Sequence, residues 1–312
     1  MTDKRDEFNA LPEQAVEPEN KPAPISEFFT EYYNTLGNGS LTLLGIATGF
    51  ESLDKATLGL DGLIVLGGIA GQGKTSLALQ LALNACNNTP TLFYSLEMPR
   101  RAIFTKALSC LGEVRYSDIL LNGKNLSKKL DKGYKEIADK GKSLYVRTGE
   151  RGQAPINFET LENEINYVKV SHQTERVFVV IDHLQVFNAG EYRDQIDKEN
   201  KLITGFKGVS ERTGAVILLI SQKNKAGFET TGGLQAIKGS VDIVYLADVV
   251  MFLEPKVEKK SKGCYSEIDE SDSGDVKEVF LNIAKNRYNA PKKICFEFNG
   301  AYSQFKEPVH PF

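Results

Sequence analysis

Gly68, Gly71, Gly73, Lys74, Thr75 and Ser76 fall within the stretch GGIAGQGKTS, residues 67–76. From Gly68 to Thr75 the spacing G-x-x-x-x-G-K-[ST] is met in full. Glycines let backbone N–H groups converge on phosphate oxygens, and a helix that follows adds the positive end of its dipole. Lys74 is expected to reach the β- and γ-phosphates of a nucleoside triphosphate, and Thr75 to offer its hydroxyl oxygen to Mg²⁺. The chemistry is phosphoryl transfer, with a nucleoside triphosphate and Mg²⁺ as the expected cofactors. Such a site needs a second carboxylate for the metal, and Asp182 supplies it at the end of the apolar run in VFVVIDHLQVF. It also needs a group that orients or deprotonates water. Glu97, closing TLFYSLE, is the candidate base; Gln222, after AVILLIS, is the candidate γ-phosphate sensor.

Each of these residues has a plainer reading. The glycines alone would make a turn, Asp182 would cap the next turn, and Glu97 and Gln222 would be solvated loop residues. The elements around them decide against the first. The loop follows LIVLGG and opens the helical pattern SLALQLALNAC, the setting the motif requires. LIVLGG, TLFYSLE, SLYVRTG, VFVVIDHLQVF, AVILLISQ and VVMFLEP are short apolar runs that end in polar or small residues. They predict buried parallel strands alternating with helices, an α/β fold with its ligand at the carboxyl ends of the strands. KEVFLNIAKNRY and KKICFEFNG alternate and predict an antiparallel extension.

Composition narrows the class. The chain has 312 residues, 25% charged and 41% hydrophobic, and a net charge of -3, so any contact with nucleic acid falls to a local basic strip. Cys86, Cys110, Cys264 and Cys295 form no Cys-x-x-Cys pair, which argues against a zinc module or a disulfide framework and fits a reducing cytoplasm. No apolar run reaches the length of a membrane span, and MTDKRDEF has no apolar core of a signal peptide. Residues 1–23 read as a disordered tail. Residues 24–40 read as a helix and a flexible linker, with Ser26 as N-cap and Ile25, Phe28, Phe29, Tyr32 and Leu36 on one face. Residues 41–307 form the expected α/β domain, with a charged, Ser-rich surface insertion over 255–277, and 308–312 a tail.

Taken in order, TGFESLDKATLGL, the phosphate loop, SLEMPRRAIFTKALS, VVIDHLQVF, ISQKNKAG, KGSVDIVYLADVVMFL, IAKNRYNAP and FEFNGAYSQF resemble the ATPase domain of the DnaB-type replicative helicases. The likeness spans roughly residues 25–307. It implies a RecA-like core, Glu97 as catalytic base, Asp182 as the metal-shell acid and Gln222 as the polar residue of the SQ motif. It also implies that Lys285 and Arg287 are supplied to a neighbouring subunit's nucleotide, within a homo-oligomeric, hexameric ring moving 5′ to 3′ on single-stranded DNA. A head-to-tail interface that closes gives such a ring. The helix around Phe28 to Leu36 corresponds to the family's linker helix, which packs on the adjacent subunit. Lys223, Lys225 and Lys238, in KNKAGFETTGGLQAIKGS, are the expected DNA contacts, with Arg193 in the preceding loop.

The chain departs from the family in places. Only about two dozen residues precede the linker helix, so primase recruitment through the family's N-terminal collar is not expected to carry over. Val244 stands where many relatives have an acidic residue. His183 stands where a tyrosine is usual, and reads as a packing variant. The resemblance implies an ATP-dependent helicase, with a loader or other replication protein as a possible partner and a phage, plasmid or accessory role in view. A RecA-, RadA- or KaiC-like ATPase that switches without unwinding requires the same phosphate machinery, as does a helicase-like subunit that acts through a partner.

Overall fold

The computed structural model describes residues 43–149, 156–187, 190–222, 245–256 and 276–308, with Ile25, Ser26 and Tyr33 besides. The chain divides at residues 42/43 into two units, and the second carries the whole sheet. Of the expected linker helix only Ile25, Ser26 and Tyr33 are described; each is helical and exposed. Lys223, Lys225, Lys238, Val244 and most of the 255–277 insertion lie outside the described residues.

Among the described residues the sheet has nine strands in the order β3-β2-β4-β5-β1-β6-β7-β8-β9. β1 (Leu63–Gly68), β2 (Thr91–Ser95), β3 (Leu144–Thr148), β4 (Phe178–Asp182), β5 (Val216–Gln222) and β6 (Val249–Pro255) run parallel. β7 (Val276–Asn286), β8 (Lys292–Asn299) and β9 (Gln304–Lys306) continue the sheet antiparallel, as the alternating pattern predicts. The 255–277 boundaries shift slightly, because β6 runs to Pro255 and β7 already begins at Val276.

Strand alternation sends side chains to two helical layers. Ile64 and Leu66 of β1 pack with Leu77, Leu81 and Ile103, from α2 (Lys74–Ala85) and α3 (Arg100–Gly112), and with Leu53 of α1 (Glu51–Thr57). Leu63 and Val65 pack on the other face with Leu161 and Ile165 of α6 (Phe158–His172) and Ile203 and Phe206 of α7 (Gln195–Thr213). Between α3 and β3 lie α4 (Tyr116–Asn122) and the amphipathic α5 (Ser127–Lys140). The caps of α6 and α7 are legible locally: Asn157 accepts from Thr160 N, and Asp194 from Asp197 N.

β7 carries one irregularity in its pairing with β6. Val279, Leu281 and Ile283 alternate into the α2 side of the core. The register against β6 then slips between Val250 and Met251, so that Met251 faces Ile283 and Val250 faces Lys285. That bulge turns Lys285 away from the Ile283 face and toward the layer that holds α7.

Candidate nucleotide-binding site

The loop between β1 and α2 lines a cavity of about 440 Å³ with Gly71, Gly73, Lys74, Thr75 and Ser76. Gly73 begins α2 with φ +91°, and a Cβ there would lie 2.8 Å from Phe298 Cζ. Phe298 stacks on Phe305 at 4.4 Å between ring centroids, so the antiparallel extension backs the loop and only glycine fits between them. The first turn of α2 has no acidic residue to compete for its N–H groups.

Lys74 is 6% exposed, and its Nζ donates to the carbonyls of Gly68 and Ile69, each at 2.8 Å. Burial lowers its pKa, opposed by the charges of Asp182 and Glu97. The ammonium is thus held by two neutral acceptors at the place where the motif brings phosphate.

Asp182 ends β4 at 2% exposure. Burial raises its pKa, partly offset by a hydrogen bond from the Thr75 side chain and by His183. Among the described residues its buried Oδ2 has no hydrogen-bond partner. A buried carboxylate oxygen beside a threonine hydroxyl, next to a phosphate loop, is the hard-oxygen donor set that Mg²⁺ takes alongside phosphates. The residues present therefore fit a metal ion bound with nucleotide.

Glu97 follows β2 and lines the same cavity, its side chain 54% exposed. His183 Nδ1 lies 3.0 Å from Glu97 Oε2, but off the hydrogen-bond axis, since Nδ1 is buried without a hydrogen-bond partner. His183, 7% exposed, does more than fill space: it flanks the carboxylate read as the base. Gln222 is the last residue of β5, level with Gly68 of β1, so its backbone stands at the same sheet edge.

Lys106 is a further cation that sequence reasoning missed. It lines the cavity, and its Nζ donates to Ser76 Oγ at 3.2 Å and Ser303 Oγ at 3.3 Å. Burial lowers its pKa, opposed by the charge of Asp182. The available signal was its position on α3: Ile103, Lys106, Ala107 and Cys110 follow the i, i+3, i+4, i+7 pattern, putting a lysine into an apolar stripe.

Lys285 and Arg287 are not brought to this cavity. β7 runs antiparallel to β6, and its Lys285 end lies level with the start of β1. At about 3.3 Å per residue, the step from Leu63 to Gly68 separates the two sheet edges by roughly 17 Å. Lys285 Nζ donates to the carbonyls of Tyr245 (3.1 Å) and Ala247 (2.6 Å), and Arg287 Nη1 to Asp248 Oδ1 (2.6 Å). Burial and the charge of Arg287 lower the pKa of Lys285. Arg193 is exposed just before α7, its backbone N–H donating to Asp197 Oδ2 at 3.0 Å. A larger cleft of about 540 Å³, lined by Arg100, Tyr145, Arg147, Glu164 and Tyr167, contains none of the phosphate-loop residues. The chemistry, not the volume, marks the site.

A phosphate loop at the carboxyl edge of a parallel sheet, with a buried acid ending a neighbouring strand, defines a P-loop nucleotide-binding domain of RecA-like architecture. The model of the DnaB-like helicase C-terminal domain matches residues 45–307, and the chain belongs to that family. The replicative DNA helicase DnaB of Rickettsia bellii is 26% identical over 323 residues, covering 92% of this chain and 63% of the relative. That of Helicobacter pylori is 25% identical, covering 86% of this chain and 60% of the relative. The chain thus spans about 60% of the length of these relatives. One solved ATPase domain superposes with a TM-score of 0.78 at 20% identity, over 93% of this chain and 100% of that one. A solved DnaB-like replicative helicase, described with its interactions with primase, gives 0.76 at 20% identity, over 93% of this chain and 68% of that one.

Proposed function

We propose that this chain is an ATP-hydrolysing DNA helicase motor that works as a ring of identical subunits on single-stranded DNA, moving 5′ to 3′. The observation that carries the reading is the split of its charged residues between two sheet edges. Lys74, Thr75, Glu97, Lys106 and Asp182 surround one cavity, and Lys285 and Arg287 sit at the other end of the strands. The basic pair serves a nucleotide only when a second copy stacks head to tail, and such stacking closes into a ring, hexameric by family resemblance.

In that assembly Lys74 leaves the Gly68 and Ile69 carbonyls and takes phosphate oxygens, a charge-assisted exchange for two neutral acceptors. Thr75 and Asp182 would hold Mg²⁺, which would supply neutralisation of the phosphates' charge. Glu97 accepts the proton of the attacking water, with His183 limiting where its carboxylate can swing. Gln222 serves as the γ-phosphate sensor, and Lys106 adds a second cation on the Ser76 side. Arg287 and Lys285 of the adjacent copy stabilise charge that develops during transfer, so hydrolysis depends on subunit contact. Lys223, Lys225, Lys238 and Arg193 grip the DNA backbone. Loader or other replication proteins are its expected partners.

The experiment is steady-state ATP hydrolysis with and without single-stranded DNA, paired with a forked-duplex unwinding assay. Hydrolysis stimulated by DNA, with strand displacement, is expected. Hydrolysis indifferent to DNA, with no displacement, contradicts the motor and returns the site to a switching ATPase.

A further inference from the structure

Asp248, just before β6, is 1% exposed, yet it gathers two cations and two backbone contacts. Its Oδ2 accepts from Leu63 N at 2.8 Å and from Lys207 Nζ at 2.8 Å. Its Oδ1 accepts from Arg287 Nη1 at 2.6 Å, while its backbone carbonyl accepts from Arg287 N at 3.0 Å. The backbone ahead of β1 yields room for this carboxylate. Gly62 has φ +66°, and a Cβ there would stand 2.2 Å from Asp248 Oδ2.

A buried carboxylate needs one cation to offset its desolvation. Lys207, whose side chain is 16% exposed and which also lies 3.5 Å from Glu211, already provides it through Oδ2. Oδ1 is therefore not required to bury a second charge, and the group it holds is not buried: the Arg287 side chain is 53% exposed. One guanidinium nitrogen is fixed to the protein at a short, charge-assisted distance, and the side chain as a whole remains half in solvent. Because Lys207 balances the carboxylate, the charge of Arg287 is not consumed by it. The β6–β7 bulge completes the arrangement by turning Lys285 onto the same side of the strand.

We infer that Asp248, backed by Lys207, is the positioning residue for Arg287: it fixes the guanidinium before the neighbouring subunit's phosphates arrive. Fixing a catalytic cation in advance removes reorganisation from the transfer step. Asp248 touches no nucleotide and acts only through Arg287. The inference rests on Arg287 acting on a neighbour's nucleotide, as proposed above.

The test is a double-mutant cycle of D248N and R287A, read as kcat for DNA-stimulated ATP hydrolysis, with the affinity for a fluorescent ATP analogue measured beside it. R287A is expected to lower kcat by about 10³-fold. D248N, alone, is expected to lower kcat by about tenfold with analogue affinity unchanged, and to lower it no further in the R287A background. A D248N loss that multiplies with that of R287A marks a structural effect and overturns the inference, as does wild-type kcat in D248N. R287A with wild-type kcat removes the shared-site reading itself, and the positioning role with it. Should D248N not fold, K207Q replaces it: leaving Arg287 as the only counter-ion, it is expected to lower kcat several-fold in the wild-type background and not in R287A. Wild-type kcat in K207Q, or a full loss in both backgrounds, overturns the inference.

Discussion

The two edges of the sheet treat their buried aspartates in opposite ways. At the carboxyl edge, Lys74 is buried against carbonyls and Lys106 half-buried against hydroxyls, and among the described residues Asp182 keeps a buried oxygen without a hydrogen-bond partner. Burial lowers the pKa of both lysines and raises that of Asp182, so each charged form is held at a cost. At the opposite edge, Asp248 is equally buried but has cations or N–H groups on both oxygens, and the cation it presents is half exposed. The first edge is electrostatically incomplete and suited to take in a ligand with both an anion and a metal. The second is internally satisfied and suited to offer a charge outward. A subunit built this way has its receiving and donating surfaces at different ends, which is what a head-to-tail ring requires.

Substitutions at the receiving edge put that contrast at risk. The greatest loss belongs to Lys74→Ala, which removes the cation at the phosphates; turnover should fall to background, and normal turnover would remove the assignment of the cavity. Lys106→Met should weaken ATP binding by roughly 10- to 100-fold, the worth of a hydrogen bond to a charged group. The same change should raise the melting temperature of the nucleotide-free protein, because it deletes a half-buried charge that only hydroxyls compensate. The sign with pH follows from the direction of the shift. A lysine whose folded pKa is lowered binds fewer protons when folded than when unfolded, so stability rises with pH between the folded value and the ordinary 10.5. The stabilisation by Lys106→Met should therefore be full near neutral pH, shrink as the pH rises through that window, and vanish above it. A variant that binds ATP normally, or that melts lower, would place Lys106 outside phosphate binding. The mildest change is His183→Phe, expected to reduce kcat by about 3- to 10-fold with ATP affinity unchanged, since the ring only restricts Glu97. Loss of nucleotide affinity instead would mean that His183 serves the packing of β4.

What the sequence disclosed depends on how local the encoding is. The phosphate loop lies within ten residues, with its strand before and its helix after, so its site was readable from spacing alone. Asp182 and Glu97 were readable because apolar strands end in them or just before them. The parallel core and the antiparallel extension followed from runs and alternation. Lys106 was not readable in this way, because its meaning comes from α3 packing beside Ser76 and Ser303, 30 and 197 residues away. The Asp248 cluster was hidden for the same reason: its partners are 39, 41 and 185 residues distant. The bulge that re-aims Lys285 leaves no mark in a strand that otherwise alternates regularly. His183 was legible as an unusual residue, but its approach to Glu97 depends on β2 and β4 lying side by side.

The most direct test of the two-edge account is complementation. Arg287→Ala and Glu97→Gln proteins are each prepared and then mixed in equal amounts, and ATP hydrolysis is followed with single-stranded DNA present. Each protein alone should bind ATP and barely turn it over. In mixed rings, random assortment pairs an intact Glu97 cavity with an intact neighbouring Arg287 at roughly a quarter of interfaces, and a matching fraction of hydrolysis should return. A mixture as inactive as its parents, under conditions where the subunits exchange, would contradict a site shared between the two edges.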